Sequence, residues 1–307
     1  MINAILVLLT GLGWGLLGPA SKGLFAAQPD VFDGLTVSLA RGLWAFPFFA
    51  MGLGAVWRLE KPHLSARRWG YALAAGLVFG LVVSVVFTIA SQHTSVAHLS
   101  FFVGFTPVTN TVAAALVFRE PLDRRARVAL ALGVLGVVLL AFTKSSSAAT
   151  LLGDGLMLVW LAAFAVYACL LRAIGPGVSS AFVMAFVGTI SMGALIVPAL
   201  FFGGVQAAAH VADTPQIAWW FFGEVVFGST LVAQTAYAAA VRRMGVSAAT
   251  IGAEYIALAV GVLASVLMHE RWTPLTVVAG LIFCAALAVT FVPLPGLSRP
   301  AAPPRPA

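Results

Sequence analysis

The sequence predicts an all-α integral membrane protein with ten transmembrane helices in two inverted five-helix repeats. Three observations predict it: 61% of the 307 residues are hydrophobic and only 9% charged, the apolar residues fall in ten long runs, and one half of the chain resembles the other. Soluble domains carry roughly 25% charged residues. A soluble fold of this length could not hide so much apolar surface, whereas a lipid solvent removes the need to hide it. The net charge of +7 does not point to nucleic acid, because the basic residues sit in short clusters between apolar runs.

A spanning helix needs about 20 apolar residues. The candidate runs are 2–22, 33–57, 69–90, 95–118, 126–143, 152–172, 179–204, 215–240, 246–268 and 273–293. Their connections carry Pro, Gly, Ser or charge. The longest interior polar break is Lys144-Ser145-Ser146-Ser147, which sets a first repeat at 1–147 and a second at 148–293. Residues 294–307 read as a disordered, Pro-rich cytoplasmic tail. The chain opens Met1-Ile2-Asn3 and turns apolar without the basic stretch of a secretory signal, so the start reads as the first membrane helix. Cys169 and Cys284 lie inside apolar stretches and read as small buried hydrophobes, with no disulfide expected.

Lys and Arg give the orientation. With the N-terminus in the cytoplasm, 13 of the 17 basic residues fall inside, Arg58 through Arg305, and 3 outside (Lys22, Lys144, Arg271), leaving Arg41 within a helix. The opposite orientation inverts that ratio, so both termini are expected in the cytoplasm of a plasma or inner membrane.

Ser95 to Leu122 aligns without gaps to Gly245 to Trp272, at an offset of 150. Glu120 falls on Glu270, Val96 on Val246, Phe105 on Tyr255 and Arg119 on His269. Arg125 through Phe142 resembles Leu275 through Phe291, and Trp14 and Trp160 are loosely equivalent. Units of five spans in one chain must lie in opposite orientations. Inverted repeats recur in transporters, where they give two near-equivalent arrangements open to opposite sides. Duplication can also build a pore or an inert bundle.

Several short motifs, in order and at consistent spacings, carry a family resemblance across nearly the whole chain. They are Trp14-Gly15 with Lys22, Arg41 early in the second run, Thr106-Pro107 in the fourth, Arg119-Glu120-Pro121-Leu122 at its end, and His269-Glu270-Arg271-Trp272-Thr273 at the end of the ninth. The chain thereby resembles the EamA-type drug/metabolite transporters. The resemblance implies ten helices in two repeats and export of amino acids, drugs or other metabolites, with the amino-acid exporter branch as the preferred neighbour. Arg119 and His269 stand where the family usually has glycine before the Glu, and Ala257 where the second repeat often has proline.

Ionisable residues in hydrocarbon are costly and so are functional candidates. Arg41 and Glu224 lie about 12–14 Å below the outer helix ends, a compatible depth for an ion pair or gate. Arg41 would bind a substrate carboxylate, or would be a structural arginine satisfying backbone carbonyls. Glu254 would attract an ammonium group or carry a proton, or would be a protonated core residue. His98 is a further intramembrane ionisable residue. Trp14, Trp160, Phe101, Phe105 and Tyr255 would line an apolar aromatic cavity suited to hydrophobic amino acids, or would be packing aromatics. Gly11/Gly15 and Gly76/Gly80 have the spacing of close helix crossings. Pro47, Pro107 and Pro198 are candidate kinks or hinges.

The resulting expectation is a secondary exporter of small solutes, neutral or aromatic amino acids first, working by alternating access through a central aromatic cavity. Drugs or other metabolites are the alternative cargo; an intramembrane enzyme and a channel are the alternatives of other classes. No HExxH, phosphate loop or paired Asp cluster is present, so neither enzyme chemistry, a cofactor nor a metal is expected. The partners expected are an amino-acid-like solute and the bilayer. The oligomeric state stays open, a monomer included.

Overall fold

The computed structural model describes residues 2–119, 124–143, 151–175, 177–211, 215–244 and 246–291. Glu120, Pro121 and Leu122, the Lys144–Ser147 break with the 147/148 boundary, and the tail from residue 293 lie outside the described residues. Every regular element among the described residues is a helix.

Helices α1 (Ile2–Ala27), α2 (Gly34–Glu60), α3 (Ala66–His93), α4 (Val96–Phe118), α6 (Leu151–Ile174) and α7 (Ser180–Phe201) are each long and apolar enough to cross a membrane. So is Gln216–Tyr237, within α9, which runs on to Met244. Between α4 and α6 stands α5 (Arg124–Ala141), and α10 (Val246–Leu267) and α11 (Pro274–Phe291) close the order. The sequence reading missed α8 (Gly204–His210), a short helix beyond a left-handed turn at Gly203, φ 77°. The seventh apolar run therefore ends at Phe201 and not at 204. Large apolar side chains such as Met51, Leu116, Phe201 and Leu281 are more than 60% exposed. A surface of that kind is suited to lipid and unsuited to water.

Local chemistry sets the boundaries. Asp33 and Thr36 form a reciprocal capping box at the start of α2, with Thr36 N donating to Asp33 Oδ1 at 2.7 Å and Asp33 N to Thr36 Oγ1 at 2.8 Å. Ser95 and Ser179 accept from the third amide of α4 and α7. At the other ends, Arg119 after α4 and His269 after α10 both adopt φ 55°, the left-handed region. Glycine is the usual occupant of such a helix terminus because it lacks the Cβ clash.

Three long helices are not uniform: a turn at Ala194–Leu195 interrupts α7 between Ser180–Gly193 and Ile196–Phe201. α3 passes through a π-helical stretch at Val78–Ser84, and α9 through another at Glu224–Ala233. The proline-bearing α1, α2 and α4 continue through Pro19, Pro47 and Pro107, and α10 continues through Ala257.

α1 packs against α9 and α10, and α6 packs likewise against α3 and α4. The pairs α2–α7, α4–α10 and α5–α11 join the first half of the chain to the second. α3 also packs against α7, and the glycine pairs sit at the α1–α10 and α3–α7 crossings. A Cβ on Gly15 would stand 2.8 Å from Ala257 O across α1–α10, and one on Gly80 only 2.2 Å from Ser191 O across α3–α7. Both cysteines are free; Cys169 is buried as expected, but Cys284 is exposed on the outer face of α11.

Candidate functional site

Where the two halves meet, α1, α2, α3, α4, α6, α9 and α10 enclose a cavity with about 560 Å³ of empty space, its open mouth included. Its wall is largely aromatic. Trp14 meets Phe164 edge-on at 6.5 Å, Phe164 lies 5.2 Å from Trp160, and Trp160 lies 5.6 Å from Phe87. Phe79, Leu17, Val83 and Val103 complete the apolar lining. Close approach of α1 to α10 through Gly11 and Gly15 brings Trp14 and Glu254 to the same space.

Polar groups enter from the two π-helical stretches and their neighbours: Ser84 from α3, and Ser229, Thr230 and Gln234 from α9. Thr230 Oγ1 donates to Val225 O, five residues back, at 2.7 Å, and Ser229 Oγ to the same carbonyl at 2.8 Å. π-Bulges of this kind cluster at functional sites.

Two ionisable side chains of opposite type face the cavity. Arg41 is 4% exposed and Glu254 1% exposed. Arg41 Nη2 donates a long 3.4 Å bond to Ser38 Oγ, while its Nε has no partner. Glu254 Oε2 has none either. Among the described residues, no carboxylate oxygen stands within 4.0 Å of the Arg41 guanidinium nitrogens. Buried polar groups without partners are expensive. A ligand carrying both signs would relieve both.

The structure brings together four of the residues singled out from sequence: Trp14, Arg41, Trp160 and Glu254. It separates the others. Phe101 lies 5.8 Å from Phe283 and 5.9 Å from Trp272, and Phe105 lies 5.6 Å from Phe283, so both face α11. They sit two residues either side of Val103, on the opposite face of α4 from the cavity. Tyr255 is 37% exposed; it is one residue from Glu254, and adjacent helix positions point about 100° apart. Pro107 stands in the unbroken α4, with Thr111 Oγ1 donating to its carbonyl at 2.8 Å, and does not line the cavity.

Arg41 and Glu224 form no ion pair. Equal depth does not fix azimuth: the Glu224 carboxylate lies along its own helix, so a Cβ on Gly228 would meet its Oε2 at 2.1 Å. Glu224 Oε1 is also without a partner. Sequence reasoning missed Phe79, Phe87, Phe164, Ser229, Thr230 and Gln234. The i,i+4 spacing of Trp160 and Phe164, and one glutamine in an apolar run, were usable signals.

Two polar ties lie beyond the cavity, where α4 and α6 begin. His98 Nδ1 faces both oxygens of Asp154 at 3.0 Å, and Thr94 Oγ1 donates to Asp154 Oδ1 at 2.6 Å. Glu270 crosses to the start of α4 and accepts from Val96 N at 2.8 Å, Ala97 N at 3.2 Å and Ser265 Oγ at 2.7 Å. A carboxylate there satisfies free amides and complements the helix dipole. Among the described residues no group of three His, Cys, Asp or Glu side chains is placed to hold a metal.

Residues 1–142 match the EamA-like transporter family. No curated protein matches the sequence. A solved crystal structure of another protein is similar at a TM-score of 0.56 with 14% identity, over 94% of this chain and 96% of that one. At that identity the likeness speaks for a shared fold alone. It spans the second half of the chain as well as the first.

Proposed function

We propose that the chain, whose residues 1–142 match the EamA-like transporter family, is a secondary exporter of neutral or aromatic amino acids. The observation that carries the reading is the cavity itself. Buried Arg41 and Glu254 stand unpaired on a wall of Trp14, Phe87, Trp160 and Phe164. Arg41 receives the carboxylate of a zwitterion, with the donor geometry that guanidinium offers a carboxylate. Glu254 receives its ammonium, and the aromatic wall receives its side chain.

Ten spans in two inverted repeats serve this function. The paired contacts of α1 and α6, the left-handed termini at Arg119 and His269, and the π-helical stretches of α3 and α9 support that reading. Alternating access then follows from exchange between two near-equivalent packings. The positive-inside bias favours both termini in the cytoplasm, in an inner or plasma membrane. A single chain encloses the cavity, so a monomer suffices.

Counterflow in proteoliposomes tests the reading, with a panel of amino acids, nucleotide sugars and cationic drugs. Saturable exchange of phenylalanine or tryptophan, lost in Arg41→Gln and Glu254→Gln, is expected. Exchange of cationic drugs or nucleotide sugars in place of amino acids would refute the cargo. Non-saturable flux of all solutes would refute the carrier.

A further inference from the structure

The buried ionisable cluster at the start of α4 and α6 has no part in solute binding. Asp154 is well supplied there, accepting from Thr94 Oγ1 at 2.6 Å and facing His98 Nδ1 with both oxygens. The imidazole is not. His98 is 1% exposed, and its Nε2 is buried with no partner at all. A buried polar atom left unsatisfied is destabilising. An amide could tie α4 to α6 equally well, so a tie alone does not account for a ring with one idle nitrogen.

We infer that the His98–Asp154 pair is a proton-binding site that couples solute movement to a proton gradient; the coupling rests on the transporter reading above. The neutral ring carries its proton on Nδ1 and donates it to Asp154. An incoming proton adds to the lone pair of Nε2, and no heavy-atom bond forms or breaks. The imidazolium charge is balanced by the carboxylate 3.0 Å away. Unloading returns the proton from the same nitrogen. Histidine is the side chain whose charge changes in the physiological window.

Location links this site to the cavity. Asp154 lies six residues before Trp160 on α6, about 9 Å along the helix. α3, which ends at His93 just before Thr94, carries Phe87 against Trp160. The proton site therefore ties the three helices, α3, α4 and α6, that form much of the aromatic wall. Nε2 is sealed in this conformation, so protons exchange only when this end of the bundle opens. A ligand that binds one conformation better shifts the population toward it.

Other ionisable groups at this end include His93 on α3, Lys22 on α1, the exposed Asp30 and Asp33 before α2, Glu270, and the exposed His269 and Arg271. Glu270 bonds the α4 amides and lies within electrostatic reach of Lys22. Among the described residues, Asp154 alone makes an ion pair with His98.

The test has two arms. Purified protein in lipid nanodiscs is stepped from about pH 8 to about pH 6 with a pH-sensitive dye. The wild type is expected to take up about one proton more than His98→Gln. In proteoliposomes, His98→Gln and Asp154→Asn are expected to keep counterflow of labelled L-phenylalanine at equal pH but lose accumulation driven by a pH gradient. Asp154→Asn serves both arms should His98→Gln not fold. Equal proton uptake by variant and wild type, or gradient-driven accumulation retained in the variants, overturns the proposal. A wild type that exchanges no phenylalanine overturns the cargo reading instead, and the dye count still decides whether the pair binds a proton.

Discussion

Gly80→Ala is a direct probe of the packing that shapes the cavity. The new Cβ would stand 2.2 Å from Ser191 O, where real Cβ atoms keep at least 3.0 Å, so α3 and α7 must part by about 0.8 Å. Backbone is on the receiving side, and no side-chain rotation relieves the clash. The same crossing holds the bond from Ser191 Oγ to Gly76 O at 3.0 Å. Stretched to about 3.8 Å it is no longer a hydrogen bond. Such bonds between membrane helices average about 0.6 kcal/mol, and overpacking adds about 1–3 kcal/mol. Against this, alanine is the better helix former by roughly 0.5–1 kcal/mol. The net expectation is a loss of about 1–3 kcal/mol. Gly52→Ala and Gly54→Ala are the controls, since a Cβ at either meets nothing within 4 Å. They should gain the helix-propensity increment. Reversible unfolding in mixed micelles reads all three. A Gly80→Ala protein as stable as the wild type would refute the close-approach argument.

Trp14→Ala and Phe164→Ala should lower exchange of aromatic amino acids while the folded yield holds, whereas Tyr255→Ala, on an exposed position, should leave the rate unchanged; initial counterflow rates decide. Glu270→Ala leaves the Val96 and Ala97 amides without their acceptor and should cost about 1–2 kcal/mol, read by thermal melting, with Glu270→Gln recovering part of it. His269→Gly and Arg119→Gly each relieve the Cβ clash of a left-handed conformation that costs a non-glycine residue about 1–2 kcal/mol. After the looser unfolded chain is counted, each should stabilise by roughly 0.5–1 kcal/mol, visible as a higher melting temperature.

Helix positions were legible in the sequence because hydrocarbon thickness imposes a length that apolar runs must meet. The glycine pairs were legible too, since the spacing itself encodes close approach. Residues with a cost to bury, Arg41 and Glu254, were found by that cost, and Trp14 and Trp160 by their depth. Azimuth was not legible. α4 is buried over most of its surface from Val96 to Val108, so its pattern does not reveal that Val103 faces the cavity while Phe101 and Phe105 face α11. Arg41 and Glu224 matched in depth and still do not meet. The π-helical stretches carry no periodic signal, and they re-aim Ser84, Ser229 and Thr230. Asp154 escaped notice near a helix start, where a lone aspartate is ordinary; only the fold sets it against His98.

The indoles in the wall have a practical consequence. Two of the chain's eight tryptophans, Trp14 and Trp160, border the space that a solute would fill. Their emission depends on the polarity next to the ring, so occupancy can be followed optically without attaching a dye. With the other six changed to phenylalanine, each remaining indole becomes a local meter, one on α1 and one on α6. Comparing the two would tell which half of the protein senses the solute first.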